Sequence, residues 1–218
     1  MKTILVPENL TTLAYKNIKD YILGEDLDEN IRLTEESVAK QLGISKSPVR
    51  EAFNRLESEG LICIEPRRGA HLRTFSIKEI GDLYDVREAL EIHAVARAAI
   101  TPVVLEELHN SLERQKKYME ELDKAGCIHE DVHFHLILAK ATGNNQLYTI
   151  LENLQNQILL IRRKTYDLTR SQATAIHASI LHALEMGNKK QAQELMREHI
   201  TSVARRLIRH LSEATEGE

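Results

Sequence analysis

The stretch from Thr34 to Leu61 constrains the chain more than any other. TEESVAKQLG reads as a short helix with Thr34 as N-cap and Gly43 as its stop. Ser45-Lys46-Ser47-Pro48-Val49-Arg50-Glu51 follows and leads into AFNRLESEGL. Val49, Ala52, Phe53 and Leu56 fall at i, i+3, i+4, i+7, which gives a second helix one apolar face. Lys46, Arg50 and Asn54 fall at i, i+4, i+8 on another face. Pro48 lies in the first turn, where its missing N–H costs little. Two short helices joined by a tight Gly-containing turn, the second with a polar, basic N-terminal half, make the helix-turn-helix plan for entering the DNA major groove.

The residues that follow extend the plan. LICIE (61–65) reads as a strand, PRRG (66–69) as a turn, and AHLR (70–73) as a strand pairing back, a β-wing with Arg67 and Arg68 at its tip. A small helical domain with a hairpin and ordinary surface arginines is the blander reading. A wing placed directly after the second helix argues against it. Bulk charge does not mark a nucleic-acid binder, since 29 basic and 33 acidic residues leave a net charge of −4. The local balance differs. Residues 46–73 carry Lys46, Arg50, Arg55, Arg67, Arg68 and Arg73 against Glu51, Glu57, Glu59 and Glu65, and local fields govern docking on DNA.

At 218 residues the chain is too long for one winged helix. We expect a mainly α protein: a winged helix-turn-helix domain over 1–76 and an all-α antiparallel bundle over 77–218. Six amphipathic segments are predicted in the second domain. The first spans about 78–100, and the second starts at Thr101-Pro102 and stops near Gly126. The third covers about 129–142, the fourth starts at Asn144 or Asn145, and the fifth spans about 171–186. The sixth opens on a capping box of Asn188 and Gln191 and runs to about Leu211. Short loops between long helices imply antiparallel neighbours. Cys63 and Cys127 fall in different domains, so a disulfide framework is not expected and a reducing cytosol is. MKTILVPENL is too short an apolar run for a signal peptide, and no segment approaches the ~20 apolar residues of a membrane span.

Ten histidines is a high count, and their helix phase says more than their number. Asp131 and His135 are i, i+4 and share a face with Phe134 and Leu138. His177 is in register with Ile180, Leu181 and Leu184, and His199 with Leu195, Met196 and Val203. Any single one reads as a core histidine bonded to a neighbour. A carboxylate and three imidazoles all facing inward read differently, because buried titratable groups are costly unless paired or bound to metal. Imidazole and carboxylate suit a divalent transition metal: Zn, Ni, Mn or Co. Arg87 is in phase with Leu83, Leu90 and Ala94. It is either a structural arginine, snorkelling or paired with Glu91 or Asp85, or a guanidinium aimed inward at a carboxylate ligand. Arg162 is a weaker candidate for the same role.

The motifs carry a resemblance. Residues 11–73, through YILGEDL, RLTEESVAKQLGISKSPVREAFNRLESEGLI and EPRRGA, resemble the winged-helix domain of the GntR superfamily of bacterial transcription regulators. That family often has Pro-Gly where Asp28-Glu29-Asn30 stands and Arg where Lys46 stands. Lysine lacks the bidentate fork. Residues 78–211, through LYDVREALE, DVHFHLILAKATGN and IHASILHALEMGNKKQAQELMREHI, resemble the FCD effector domain of the FadR-type subgroup. The resemblance implies one divalent metal per chain on Asp131, His135, His177 and His199, with Arg87 receiving an effector's carboxylate. It argues against a fatty acyl effector, whose branch lacks these ligands, and leaves His93, His133 and His182 as bystanders.

The expectation is therefore a cytoplasmic, homodimeric transcription regulator with no membrane association. Ser45, Lys46, Ser47, Arg50, Arg67, Arg68 and Gly69 would meet a pseudo-palindromic double-stranded operator. A small carboxylate effector at the metal site would modulate that binding. Two alternatives stand beside it. The metal itself could be the signal, or the chain could be a metal-dependent hydrolase, against which the absence of an HExxH spacing counts.

Overall fold

The computed structural model describes residues 9–24 and 31–216, excepting the side chains of 163–164, 167–172 and 214–216. Asp28-Glu29-Asn30, the end of YILGEDL and most of MKTILVPENL lie outside the described residues. The chain divides into two compact units, Met1–Thr74 and Phe75–Glu218.

In the first unit, α1 (Leu10–Gly24), α2 (Glu35–Leu42) and α3 (Lys46–Ser58) precede a hairpin of β1 (Ile62–Glu65) and β2 (Gly69–Leu72). The Thr34 side chain accepts from Ser37 N, and Gly43 ends α2 in the left-handed region at φ 66°, a conformation glycine adopts without strain. Ala14, Ile18 and Ile22 of α1 are buried with Val49, Ala52, Phe53 and Leu56 of α3. α1 packs on α3, and the Tyr15 hydroxyl donates to Glu59 across that contact. The strands are antiparallel, with Ile62 opposite Leu72 and Glu65 opposite Gly69. Leu33 adds a bridge to Ala70. Gly69 is required there twice over. Its φ is +88°, and a Cβ would lie 2.7 Å from Leu33 O.

The second unit contains α4 (Ile77–Arg97), α5 (Pro102–Glu120), α6 (Lys124–Lys140), α7 (Asn145–Glu185) and α8 (Lys189–Glu216). The six expected segments become five helices, because the fourth and fifth run on as one helix of 41 residues. Nothing between Asn145 and Glu185 is a glycine or proline, so no residue breaks the hydrogen-bond ladder. Gly126 is not the stop of α5. That helix ends at Glu120, Leu122 turns with a positive φ of 58°, and Asp123 caps α6 through Gly126 N. Gly126 instead serves close packing, since a Cβ would lie 2.6 Å from the Tyr118 ring. At the start of α8, Asn188 Oδ1 accepts from Gln191 N. The return bond of the box comes from the Asn188 side-chain amide rather than its backbone.

α4 packs along α8, α8 along α7, α7 along α6 and α6 along α5. Their apolar faces close one core that includes Tyr84, Leu108, Phe134, Leu138, Leu151, Ile158, Ile180, Met196 and Val203. Inside that core lie the polar side chains of Arg87, Glu91, Gln115, Asp131, His135, Gln155, Arg162, His177 and His199. Among the described residues no helix is long and apolar enough to cross a membrane.

Candidate metal centre and nucleic-acid interface

Asp131 and His135 stand one turn apart on α6, His177 is on α7 and His199 on α8. All four are nearly sealed from solvent, and one ligand atom from each lies within 4.8 Å of every other. His177 Nε2 and His199 Nε2 are 3.3 Å apart. Two nitrogens each about 2.0–2.1 Å from a tetrahedral ion are separated by about 3.3 Å, so this pair has the spacing of ligands. Asp131 Oδ1 and His135 Nε2 have no hydrogen-bond partner despite full burial. Buried polar atoms are nearly always satisfied, so the two orphaned atoms and the donor chemistry fit a divalent cation.

Neighbours fix which nitrogen each ring turns inward. Gln115 Nε2 donates to Glu130 O at 3.4 Å, which leaves Gln115 Oε1 as acceptor toward His177 Nδ1 at 3.1 Å. His177 therefore carries its proton on Nδ1 and offers the Nε2 lone pair. Phe134 stacks on the same ring at 4.2 Å. His135 Nδ1 lies against the Glu91 carboxylate, which leaves its Nε2 toward the cluster. Burial pushes His177 down to about 3 and His199 well below the usual imidazole range, so both are neutral near pH 7. Burial opposes ionisation of Asp131, but the Arg162 guanidinium beside it outweighs that and holds the carboxyl well below its usual range.

Both candidate ligand arginines are engaged. Arg162 Nη1 donates to Asp131 Oδ2, so this guanidinium is the charge partner of a candidate metal ligand. Its Nε is buried without a partner. Arg87 is 1% exposed and its Nε donates to Glu91 Oε1 at 2.7 Å. The internal salt bridge to Glu91 is thus present, while Arg87 Nη2 has no partner. Beside Asp131 and Arg162 the bundle leaves a cavity of only about 10 Å³, also lined by Gln115, Cys127 and Tyr166. His93, His133 and His182 are exposed on the outside of the unit.

Sequence reasoning passed over Gln115 and Gln155, and saw Glu91 only as a partner for Arg87. Each had a signal. Gln115 follows Leu108 and Leu112 on the buried stripe of α5, Gln155 sits among Leu151, Leu154 and Ile158, and Glu91 is one turn from Arg87. A polar residue in phase with an apolar stripe marks a buried partner.

In the first unit Ser45, Lys46, Ser47 and Arg50 are exposed at the start of α3, and Arg67 and Arg68 at the hairpin turn. Ser45 takes the N-cap position without a capping bond from its side chain. Arg50 is not free: its Nε and Nη2 donate to the two Glu35 oxygens at 2.8 and 2.7 Å. Lys46 Nζ is 3.3 Å from Glu36 Oε2, and Arg68 lies 3.6 Å from Glu65. α2 thus supplies the carboxylates that hold Lys46 and Arg50 of α3. Gly69 lies against Leu33 as backbone support for the hairpin.

An exposed basic helix in a helix-turn-helix, braced by a β-wing and followed by a separate all-α unit, defines a DNA-binding transcription regulator with an effector domain. Residues 10–72 match the bacterial regulatory proteins of the gntR family and residues 82–202 match the FCD domain. The chain belongs to the GntR family and carries the FCD domain that marks its FadR-type subgroup. It is 28% identical over 215 residues, 93% of each chain, to the uncharacterized HTH-type transcriptional regulator YdhC of Bacillus subtilis. It is 26% identical over 176 residues to the HTH-type transcriptional repressor RspR of Escherichia coli, covering 79% of this chain and 77% of that one. A probable D-xylose utilization operon transcriptional repressor of Paenarthrobacter nicotinovorans is 28% identical over 198 residues, covering 88% of this chain and 87% of that protein. A GntR-type regulator structure from Rhodococcus sp. RHA1 shares the fold with a TM-score of 0.81 at 24% identity, covering 91% of this chain and 97% of that one. These relatives are named as regulators, and the chain is a regulator rather than an enzyme.

Proposed function

We propose that this chain is a cytoplasmic, homodimeric regulator whose operator binding responds to a metal-linked small organic acid. Ser45, Lys46, Ser47 and Arg50 enter the major groove, and Arg67 and Arg68 touch phosphate at the wing. Asp131, His135, His177 and His199 hold one divalent ion of the Zn, Ni, Mn or Co type. The effector's carboxylate is received by Arg87 Nη2. Arg162, whose Nη1 holds Asp131 Oδ2 and whose Nε is buried without a partner, would be a second partner for it. The observation that carries this reading is the sealed set of four ligand atoms within 4.8 Å, two of them orphaned. The effector acts only if it binds the DNA-competent and incompetent arrangements unequally. Relatives named as repressors support repression as the sense of control.

Elemental analysis of purified protein, then calorimetry with small carboxylates on wild type and Arg87→Ala, tests it. Metal in wild type, with carboxylate binding lost in an Arg87→Ala protein that keeps its metal, is the expected result. Unchanged carboxylate affinity would make Arg87 a structural partner of Glu91. The small cavity beside Asp131 favours a second reading, since about 10 Å³ admits no more than a water. In that reading the metal itself is the signal, and DNA affinity follows free metal concentration with no organic acid present.

A further inference from the structure

Glu91 is 2% exposed on α4, and three donors converge on it. Its Oε1 accepts from Arg87 Nε at 2.7 Å and from Gln155 Nε2 at 2.6 Å. Its Oε2 lies against His135 Nδ1. Glu91 is thus the carboxylate of a buried ion pair with the Arg87 guanidinium. A counter-ion for Arg87 needs only one oxygen. The other is spent on a ring whose far nitrogen points at Asp131, His177 and His199. An anionic carboxylate against Nδ1 selects the tautomer protonated there, and so leaves the Nε2 lone pair for a cation.

We propose that Glu91 is a positioning residue that sets the tautomer and ring orientation of His135 and joins that ligand to Arg87 one turn away on the same helix. The proposal rests on the reading of Asp131, His135, His177 and His199 as metal ligands. Glu91 acts on α6 from α4 as Gln115 acts on His177 from α5. Because one carboxylate serves both Arg87 and His135, an event at either is felt at the other, and such coupling is reciprocal.

The test uses Zn²⁺ alone as probe, measured by competition with a chromophoric chelator, together with the visible spectrum of the Co²⁺-loaded protein. In Glu91→Gln one amide face must present a donor either to His135 Nδ1–H or to the Arg87 and Gln155 donors. Zn²⁺ affinity should fall about 10–100-fold, and the Co²⁺ bands should shift, with far-UV circular dichroism unchanged. A double variant, Arg87→Met with Glu91→Leu, removes the charge pair and relieves the burden of an unpaired buried guanidinium. It should fold and still bind Zn²⁺ about 10–100-fold more weakly. If either folded variant has wild-type Zn²⁺ affinity and the wild-type Co²⁺ spectrum, Glu91 is only the counter-ion of Arg87 and the proposal is overturned. If wild type itself takes up no Zn²⁺ or Co²⁺, the metal reading fails first, and the proposal falls with it.

Discussion

Moving the metal-free protein from pH 7 to pH 5 should destabilise the helical unit by about 2 kcal/mol through His177 alone. The ring is fully buried, and burial holds its pKa at about 3 against 6.5 for a free imidazole. Below pH 6.5 the unfolded chain takes up a proton that the native state refuses, so stability falls with pH. Its contribution is complete above the unfolded value, and the loss stops growing only near the folded value of about 3. His199, also neutral in the fold, adds loss of the same sign. Glu91 and Asp131, depressed by their cationic partners, start to lose their contribution only around pH 4–5, near the ordinary carboxylate range. The window from pH 7 to 5 therefore belongs to the histidines. Against a total of about 5–15 kcal/mol, the effect is large. Urea unfolding followed by far-UV circular dichroism, in chelator, at pH 7, 6 and 5, measures it in wild type and His177→Gln. The variant should show a flatter pH dependence. An unchanged urea midpoint at pH 5 in wild type, or an identical slope in the variant, refutes a neutral, desolvated His177.

Three further outcomes are expected. Arg50→Ala should weaken operator binding about 10–100-fold if the guanidinium makes a bidentate base contact, whereas Glu35→Gln, which releases Arg50 and removes an anion facing the duplex, should raise affinity for non-cognate DNA. Electrophoretic mobility shifts across a salt series read both. His177→Ala should lose bound metal while the exposed His182→Ala keeps it, as read by elemental analysis; equal metal content in the two variants would remove His177 from the ligand set. Gly126→Ala should destabilise by about 1–3 kcal/mol despite the better helix propensity of alanine, because its Cβ would lie 2.6 Å from the Tyr118 ring; a thermal melt unchanged from wild type would show that the α5–α6 contact relaxes at no cost.

Periodicity and end signals made the elements legible from the chain itself. Thr34 and Gly43 bracket α2, Val49 through Leu56 bury one face of α3, and the wing follows where LICIE and AHLR flank the PRRG turn. Helix phase alone also turned Asp131, His135, His177 and His199 inward, because an i, i+4 spacing is a statement about direction. Direction does not give distance. Only the packing of α6, α7 and α8 brings four ligand atoms within 4.8 Å. The partners of the basic groups were equally hidden. Arg50 meets Glu35 fifteen residues away and Arg162 meets Asp131 thirty-one away, contacts between helices that no local pattern encodes. Gly126 misled for a related reason, since a glycine reads locally as a stop, while here its lack of a Cβ admits Tyr118. The sequence by itself determined which faces each helix must bury, since that follows from residue spacing and hydrophobicity. The tertiary structure decided which buried polar groups meet, since a titratable side chain removed from water must find its partner on whatever helix packs against it.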